Sequence, residues 1–360
     1  MTDNRLPAWT WLAPLAGWIL IAAKSAVHHP LFAVPLGLGL IACVLAAVHH
    51  AEVVAHRVGE PFGTLVLAIA VTMIEVALIV SLMIAGGAAT AALARDTVFA
   101  AVMIILNGMV GLCLLAGGSR HGEQEFGLHG VSAMLAALAA MCVTTFILPN
   151  ATTSAAGPVY SASQLAMISV VSLILYGVFV LVQTVRHRDY FLPAGPAAHD
   201  PHAHAAPPSG RIAALSLLLL LVALGAVVLL AKGLAPTLEA GVDVLGAPKA
   251  VVGVVIAGIV LLPESLAALR AARADRLQTS LNLALGSALA SIALTIPAVA
   301  AVALIGGWTL VLGLDLKAMV LLGLSLLVAT LSLGTGRTTV LQGAVHLVIF
   351  AVYLFTTVVP

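Results

Sequence analysis

The sequence predicts an all-α integral membrane protein of about eleven transmembrane helices, with one N-terminal helix followed by two inverted five-helix repeats. Three observations predict it. Apolar residues make up 62% of the 360-residue chain and charged residues only 8%, against about 25% charged in a soluble protein. Such a chain cannot cover itself with a polar surface and must be solvated by lipid. Apolar runs recur along it, each near the ~20 residues a helix needs to cross a hydrocarbon core. One long polar stretch interrupts the series near its middle.

In chain order the runs cover roughly 11–27, 31–50, 62–86, 96–117, 130–148, 163–184, 211–231, 249–270, 279–305, 317–334 and 338–357. Breakers separate them: His28-His29-Pro30, Gly59-Glu60-Pro61, Gly117-Gly118, Pro149-Asn150 and Gly306-Gly307. The runs are too long, too continuous and too rich in Ala and Leu for barrel strands. The first has Arg5 before it and small residues near Ala26, as a signal peptide would, but its apolar stretch is long and Asp3 dilutes the positive start.

The interruption spans about 186–210 and reads Arg-His-Arg-Asp-Tyr-Phe before a stretch of Pro, Ala and His with no apolar period. It is read as a flexible linker. The chain then divides into an N-terminal helix (1–30), a first repeat (31–185), the linker (186–210) and a second repeat (211–360). Five spans per repeat force the second to run opposite to the first, the arrangement that places an ion site at mid-membrane. With a cytoplasmic N-terminus, most of the 15 Lys and Arg residues lie inside, among them Arg57, Arg120, Arg186, Arg188, Arg270, Arg273 and Arg337. That excess favours N-in and C-out. Every Lys falls outside on this reading.

Of the 14 acidic residues, only Glu75 and Glu264 lie inside predicted helices; the others fall in loops or termini. A charge in hydrocarbon costs about 2.5–3.5 kcal/mol on insertion scales, so buried acids mark ion or proton sites by default. Each belongs to the second helix of its repeat. The next helix in each repeat carries an Asn followed four residues later by Gly: Asn107 and Gly111, then Asn282 and Gly286. The last helix of each opens with Gln, at Gln164 and Gln342. Two carboxylates with amide and hydroxyl oxygens suit a hard cation such as Ca2+, which takes about 6–8 oxygen ligands. Two close carboxylates in a dry site also resist joint ionisation, so protons and the cation compete for the same oxygens.

Around this pair, Asn107, Asn282, Thr72, Ser265, Gln164 and Gln342 are candidate supporting ligands. Pro263 would disturb its helix just before Glu264 and free backbone carbonyls, and Gly111 and Gly286 would let helices approach closely. Plainer readings stand beside these. Asn and Gln serve as interhelical glue, and Thr72, Ser265, Ser287 and Ser291 suit small-residue packing. His199, His202 and His204 of the linker would suit a transition metal, but a flexible linker pre-organises no site. His49, His50 and His56 raise a different class, a His-cluster metal-dependent membrane enzyme; the remaining histidines are scattered and that class leaves the deep glutamates unexplained. Cys43, Cys113 and Cys142 lie in apolar runs without CxxC spacing and read as reduced core residues. The net charge of +1 says nothing about an acidic partner, and no basic tract suggests nucleic acid.

The stretch Ala55-His56-Arg57-Val58-Gly59-Glu60-Pro61-Phe62-Gly63-Thr64, running on to Glu75, resembles bacterial Ca2+/H+ antiporters of the CAX family, ChaA type, within the cation/Ca2+ exchanger superfamily. Pro263-Glu264-Ser265-Leu266 and Leu277 to Ser287 resemble that group's second repeat. Leu262-Pro263-Glu264 and Asn282 to Gly286-Ser287 are similar to the superfamily's Leu-Pro-Glu and Asn-x-x-x-Gly-Ser. The resemblance runs over nearly the whole chain. It implies eleven helices with a cytoplasmic N-terminus, residence in the bacterial cytoplasmic membrane, and Glu75 and Glu264 as the paired cation and proton carboxylates. The chain departs from the family at three places: Val71-Thr72-Met73-Ile74 replaces Gly-Asn-Ala-x before Glu75, Leu112 rather than Ser follows Gly111, and the His-rich linker replaces an acidic segment. The expectation is Ca2+/H+ exchange without a cofactor, the partners being the cation, protons and lipid, with Na+/H+ or K+/H+ exchange on the same fold as the alternative.

Overall fold

The computed structural model describes residues 6–24, 26, 29–59, 62–192, 208–244, 246, 248 and 250–359. The described chain is nearly all helix, and we number the helices α1 to α11. They are α1 (Ala8–Lys24), α2 (Ala33–Val58), α3 (Phe62–Gly86), α4 (Leu93–His121), α5 (Leu128–Ala151), α6 (Ala162–Arg186), α7 (Gly210–Val244), α8 (Ala250–Arg273), α9 (Leu277–Gly306), α10 (Leu316–Leu333) and α11 (Val340–Val358). Among the described residues, nine of these are long and apolar enough to cross a membrane. The exceptions are α1, at 17 residues, and α3, of which the described apolar part is Ile69–Ile84. Linker histidines His199, His202 and His204 lie outside the described residues.

Each helix exists where the apolar runs predict it, but several extend beyond them. The largest difference is α7, which continues past Lys232 and through Pro236 to Val244. Hydropathy reports contact with lipid, whereas the backbone keeps its helical bonds after the side chains become polar. The longer helices also take in Glu52, Asp96, Glu239 and Asp243, which correct the expectation that acids other than Glu75 and Glu264 lie outside helices. All four lie within two turns of a helix end.

Among the described residues, four helices contain a π-helical turn: Ile104–Met109 in α4, Val143–Ile147 in α5, Val182–Arg186 in α6 and Ser291–Thr295 in α9. Such turns interrupt the regular ladder and gather at functional positions. Among the described residues, strands are confined to one two-residue pair, Gln124–Glu125 against Arg337–Thr338, antiparallel. It ties the α4–α5 connection of one repeat to the α10–α11 connection of the other.

The buried apolar side chains form two clusters. The larger joins α4, α5, α6, α9, α10 and α11. The smaller joins α2 and α7. Only α3 and α8 contribute substantially to both: Ile79 and Met83 face the large cluster and Val71, Ile74 and Leu78 the small one, while Ala257, Leu261 and Ala268 are matched by Val252, Ile256 and Val260. The extra helix α1 is fastened to the small cluster. Cys43 Sγ and His50 Nε2 of α2 meet the carbonyls of Ala13 and Thr10 at 3.4 and 3.1 Å. Trp18 Nε1 and Lys24 Nζ of α1 donate to the carbonyls of Val222 and Gly233 of α7. Trp11, Leu12 and Leu15 on its other side are exposed, as suits a face turned to lipid.

Candidate functional site

The two helices that bridge the clusters carry the two deep glutamates. Both side chains line one cavity of about 400 Å3. Glu75 is only 5% exposed. Ser291 Oγ donates to its Oε2 at 2.6 Å, and Thr295 lies beside the same carboxyl. Ser287 Oγ approaches Glu264 Oε1 at 3.5 Å. The π turn Ser291–Thr295 is what carries both hydroxyls of α9 toward Glu75.

Several buried oxygens here have no hydrogen-bond partner: Glu75 Oε1, Glu264 Oε2 and Thr97 Oγ1, all on cavity-lining residues, and Thr295 Oγ1 next to Glu75. A buried polar atom without a partner costs about 1–3 kcal/mol, more when charged. Converging orphan acceptors therefore describe a site shaped for a positive ligand. Its donor set, two carboxylates and neutral hydroxyls, is all oxygen and fits a hard cation.

The cavity reaches the face where α6 ends and α9 begins, its outer lining including the exposed Arg188 and Leu192. The opposite face is sewn together by the residues around 311–314. Val311 N donates to Ala91 O, Leu314 N to Phe146 O, Asn150 Nδ2 to Leu314 O and Arg95 Nη1 to Gly313 O, all within 3.0 Å. A smaller cavity of about 210 Å3 lies there, lined by Asp96, Asp315 and Tyr353. Arg95 holds Asp96 in an ion pair at 2.8 Å, so that carboxylate already has its counter-charge.

The structure brings together only some of the expected residues. Thr72, Asn282 and Gly286 line the cavity with Glu75 and Glu264. Gly286 does not make the close helix contact expected of it: a Cβ there would meet nothing within 4 Å, so the missing side chain widens the cavity. Gly111 does make such a contact, since a Cβ would stand 3.0 Å from His346 Cβ and Leu347 Cγ of α11. Ser265 donates to Leu261 O of its own helix at 2.8 Å and does not line the cavity. Pro263 sits inside α8, which runs unbroken through it.

Gln164 and Gln342 occupy matching places but do not line the cavity. Each completes a capping box at a helix N-terminus, Gln164 with Ser161 and Gln342 with Thr339. The sequence symmetry is real, but its chemistry is the satisfaction of free helix-end N–H groups. Asn107 also lies outside the cavity. It is fully buried and donates to Ser325 Oγ at 2.8 Å, with His346 Nδ1 at 3.4 Å from its Oδ1. His346 Nε2 meets Ser332 Oγ at 2.8 Å, completing a polar knot among α4, α10 and α11.

The pairing of Asn107 with Asn282 is thus a coincidence of letters. Asn107 lies in the π turn at the middle of α4, while Asn282 lies in the second turn of α9. The residue at Asn107's depth is Ser291, also in a π turn. Ser287 and Ser291, read from sequence as packing, touch the glutamates instead, and Thr97 had no distinguishing signal. Among the described residues no group of three or more His, Cys, Asp or Glu side chains is placed to hold a metal ion, so His49, His50 and His56 form no such centre.

This fold and site define a membrane cation exchanger. The chain belongs to the sodium/calcium exchanger protein family, whose model matches it twice, over residues 28–185 and 215–359. It is a transporter rather than an enzyme. It is 51% identical over 360 residues to the y4hA protein of Sinorhizobium fredii, a candidate ionic transporter by its name, covering 99% of this chain and 97% of that one. It is 37% identical over 320 residues to the sodium-potassium/proton antiporter ChaA of Escherichia coli, covering 89% of this chain and 86% of ChaA. Among solved structures, native YfkE superposes with a TM-score of 0.74 at 18% identity, covering 98% of this chain and 100% of that one. The H+/Ca2+ exchanger CAX superposes at 0.71 with 15% identity, covering 96% and 87%.

Proposed function

We propose that the chain exchanges Ca2+ for protons across the bacterial cytoplasmic membrane, with Glu75 and Glu264 as the groups that hold either the cation or protons. The observation that carries this reading is that two carboxyl groups line one cavity, each with one buried oxygen left without a partner. Two ionised carboxylates balance the charge of one divalent cation. Ser287, Ser291, Thr72 and Thr97 supply neutral oxygens around them, in keeping with the oxygen preference of Ca2+.

Exchange follows from competition. Protonated carboxyls release the cation, and a bound cation expels the protons; a site that must hold one or the other couples the two flows. The site lies at the seam between the two apolar clusters, so a rocking of one cluster against the other would change which face it meets. The Arg-rich face, with Arg120, Arg188, Arg270, Arg273 and Arg337, is assigned to the cytoplasm by the positive-inside rule. The cavity leads toward that face, with Arg188, Phe191 and Leu192 at its outer end.

A second reading keeps the site and changes the cation: exchange of Na+ or K+ for protons. The activity for which ChaA is named favours it, at 37% identity over most of both chains. Purified protein in liposomes, offered Ca2+, Na+ and K+ separately while internal pH is followed, tests both. Ca2+-driven proton release supports the first reading; release with Na+ or K+ alone selects the second.

A further inference from the structure

Asn282 lines the cation cavity, yet both ends of its amide are engaged elsewhere. Its Nδ2 donates to the carbonyl of Phe191 at 2.6 Å, and its Oδ1 accepts from Gln278 Nε2 at 2.8 Å. Gln278 Oε1 in turn accepts from the N–H of Gly127 at 2.6 Å. Three hydrogen bonds thus run in one sense from the α4–α5 connection, through the first two turns of α9, to the residues that follow α6.

Those residues, 187–192, fold back over the mouth of the cavity. Arg188–Tyr190 form a short 3-10 turn. Phe191 is buried edge-on against Phe179, ring centroids 6.2 Å apart. Arg188, Phe191 and Leu192 all line the cavity. The carbonyl of Tyr190 rests against Gly127 and Gly130, and a Cβ at Gly130 would collide with it. The Tyr190 ring stacks on His187 at 4.9 Å and leans on His129 at 5.2 Å. A segment that leaves its helix, crosses a cavity mouth and inserts one aromatic residue has the build of a cover. Its polar attachment through Phe191 is one hydrogen bond, which water can replace at little net cost.

We propose that residues 187–192 are a lid over the mouth of the transport cavity and that Asn282 is its latch. Asn282 then sets access to the site instead of coordinating the cation. Opening breaks the bond to the Phe191 carbonyl and withdraws the Phe191 ring and the Arg188 charge from the path of an entering cation. Gly127 and Gly130 provide the seat for the closed lid, and Gln278 holds the Asn282 amide in the orientation that presents its N–H2 group. The inference rests on reading the cavity as the transport site.

The test uses a reporter cysteine at Ala290→Cys, deep in the lining, in the full-length protein; Cys43, Cys113 and Cys142 are buried. The rate of alkylation by a water-soluble maleimide is measured alone and with Asn282→Ala or Gly130→Ala, the latter displacing the lid without touching the cavity lining. Loss of one hydrogen bond predicts a roughly three- to tenfold faster reaction, with the thermal unfolding midpoint held near that of the reporter protein. An unchanged rate in both variants overturns the lid. A higher apparent KM for the cation in Asn282→Ala with unchanged alkylation makes Asn282 a ligand, and also overturns it. Alkylation needs no transported cation, so its outcome is independent of whether Ca2+ drives proton release.

Discussion

Ser291 shows what a single hydroxyl contributes at this site. It donates to Glu75 Oε2 at 2.6 Å from within the α9 π turn, and a hydrogen bond to a charged group is worth about 1.5–3 kcal/mol. The bond favours the ionised carboxylate, the form proposed to bind the cation. Replacing Ser291 with Ala is expected to raise the apparent KM for the cation by roughly tenfold or more, measured as cation-driven proton release in liposomes. Ser265→Ala is expected to leave that KM unchanged, because its hydroxyl is spent on Leu261 O. The two glutamates were legible in the sequence because a carboxyl in an apolar run is costly and needs a reason. The serines were not, because small polar residues in membrane helices usually pack, and only the geometry of the turn separates Ser291 from Ser265. Asn107 and Asn282 misled for a related reason: equal letters at equal spacing from a glycine lie at unequal depths in their helices.

At the scale of the helix pair, the contrast between Gly111 and Gly286 makes a stability prediction. A Cβ at Gly111 would press on His346 and Leu347, and one at Gly343 would collide with the backbone of Leu115. Gly111→Ala and Gly343→Ala are therefore expected to lower stability by about 1–3 kcal/mol through overpacking, read as a lower thermal unfolding midpoint in detergent. Gly286→Ala meets open space and is expected to leave the midpoint unchanged. The existence of all eleven helices was legible from apolar runs, since lipid demands a long apolar stretch for each. The length of α7 was not, because the run ends at Lys232 while the helix continues to Val244. The burial of Phe191 was equally hidden, since nothing local to a polar linker says that one of its residues returns to the bundle.

For the molecule as a whole, the glutamates sit on the two helices that join otherwise separate apolar clusters. A cation held by both carboxylates would bridge α3 and α8 and so favour the folded state. A ligand that binds only the folded state adds about 2.7 kcal/mol of stability at a hundredfold excess over its Kd. Ca2+ is expected to raise the unfolding midpoint of the wild-type protein and not that of Glu264→Gln, which lacks one of the two charges. The all-helical membrane fold was legible from the apolar runs, and the family model matches the chain twice, over residues 28–185 and 215–359.

The most direct measurement is proton release driven by Ca2+ in liposomes containing purified wild-type protein, Glu75→Gln or Glu264→Gln, with each variant first shown to elute and unfold like the wild type. The paired-carboxylate account predicts release by the wild type and none by either variant. Sustained release by both variants would contradict it, since the carboxylates would then be neither the cation's ligands nor the protons' carriers.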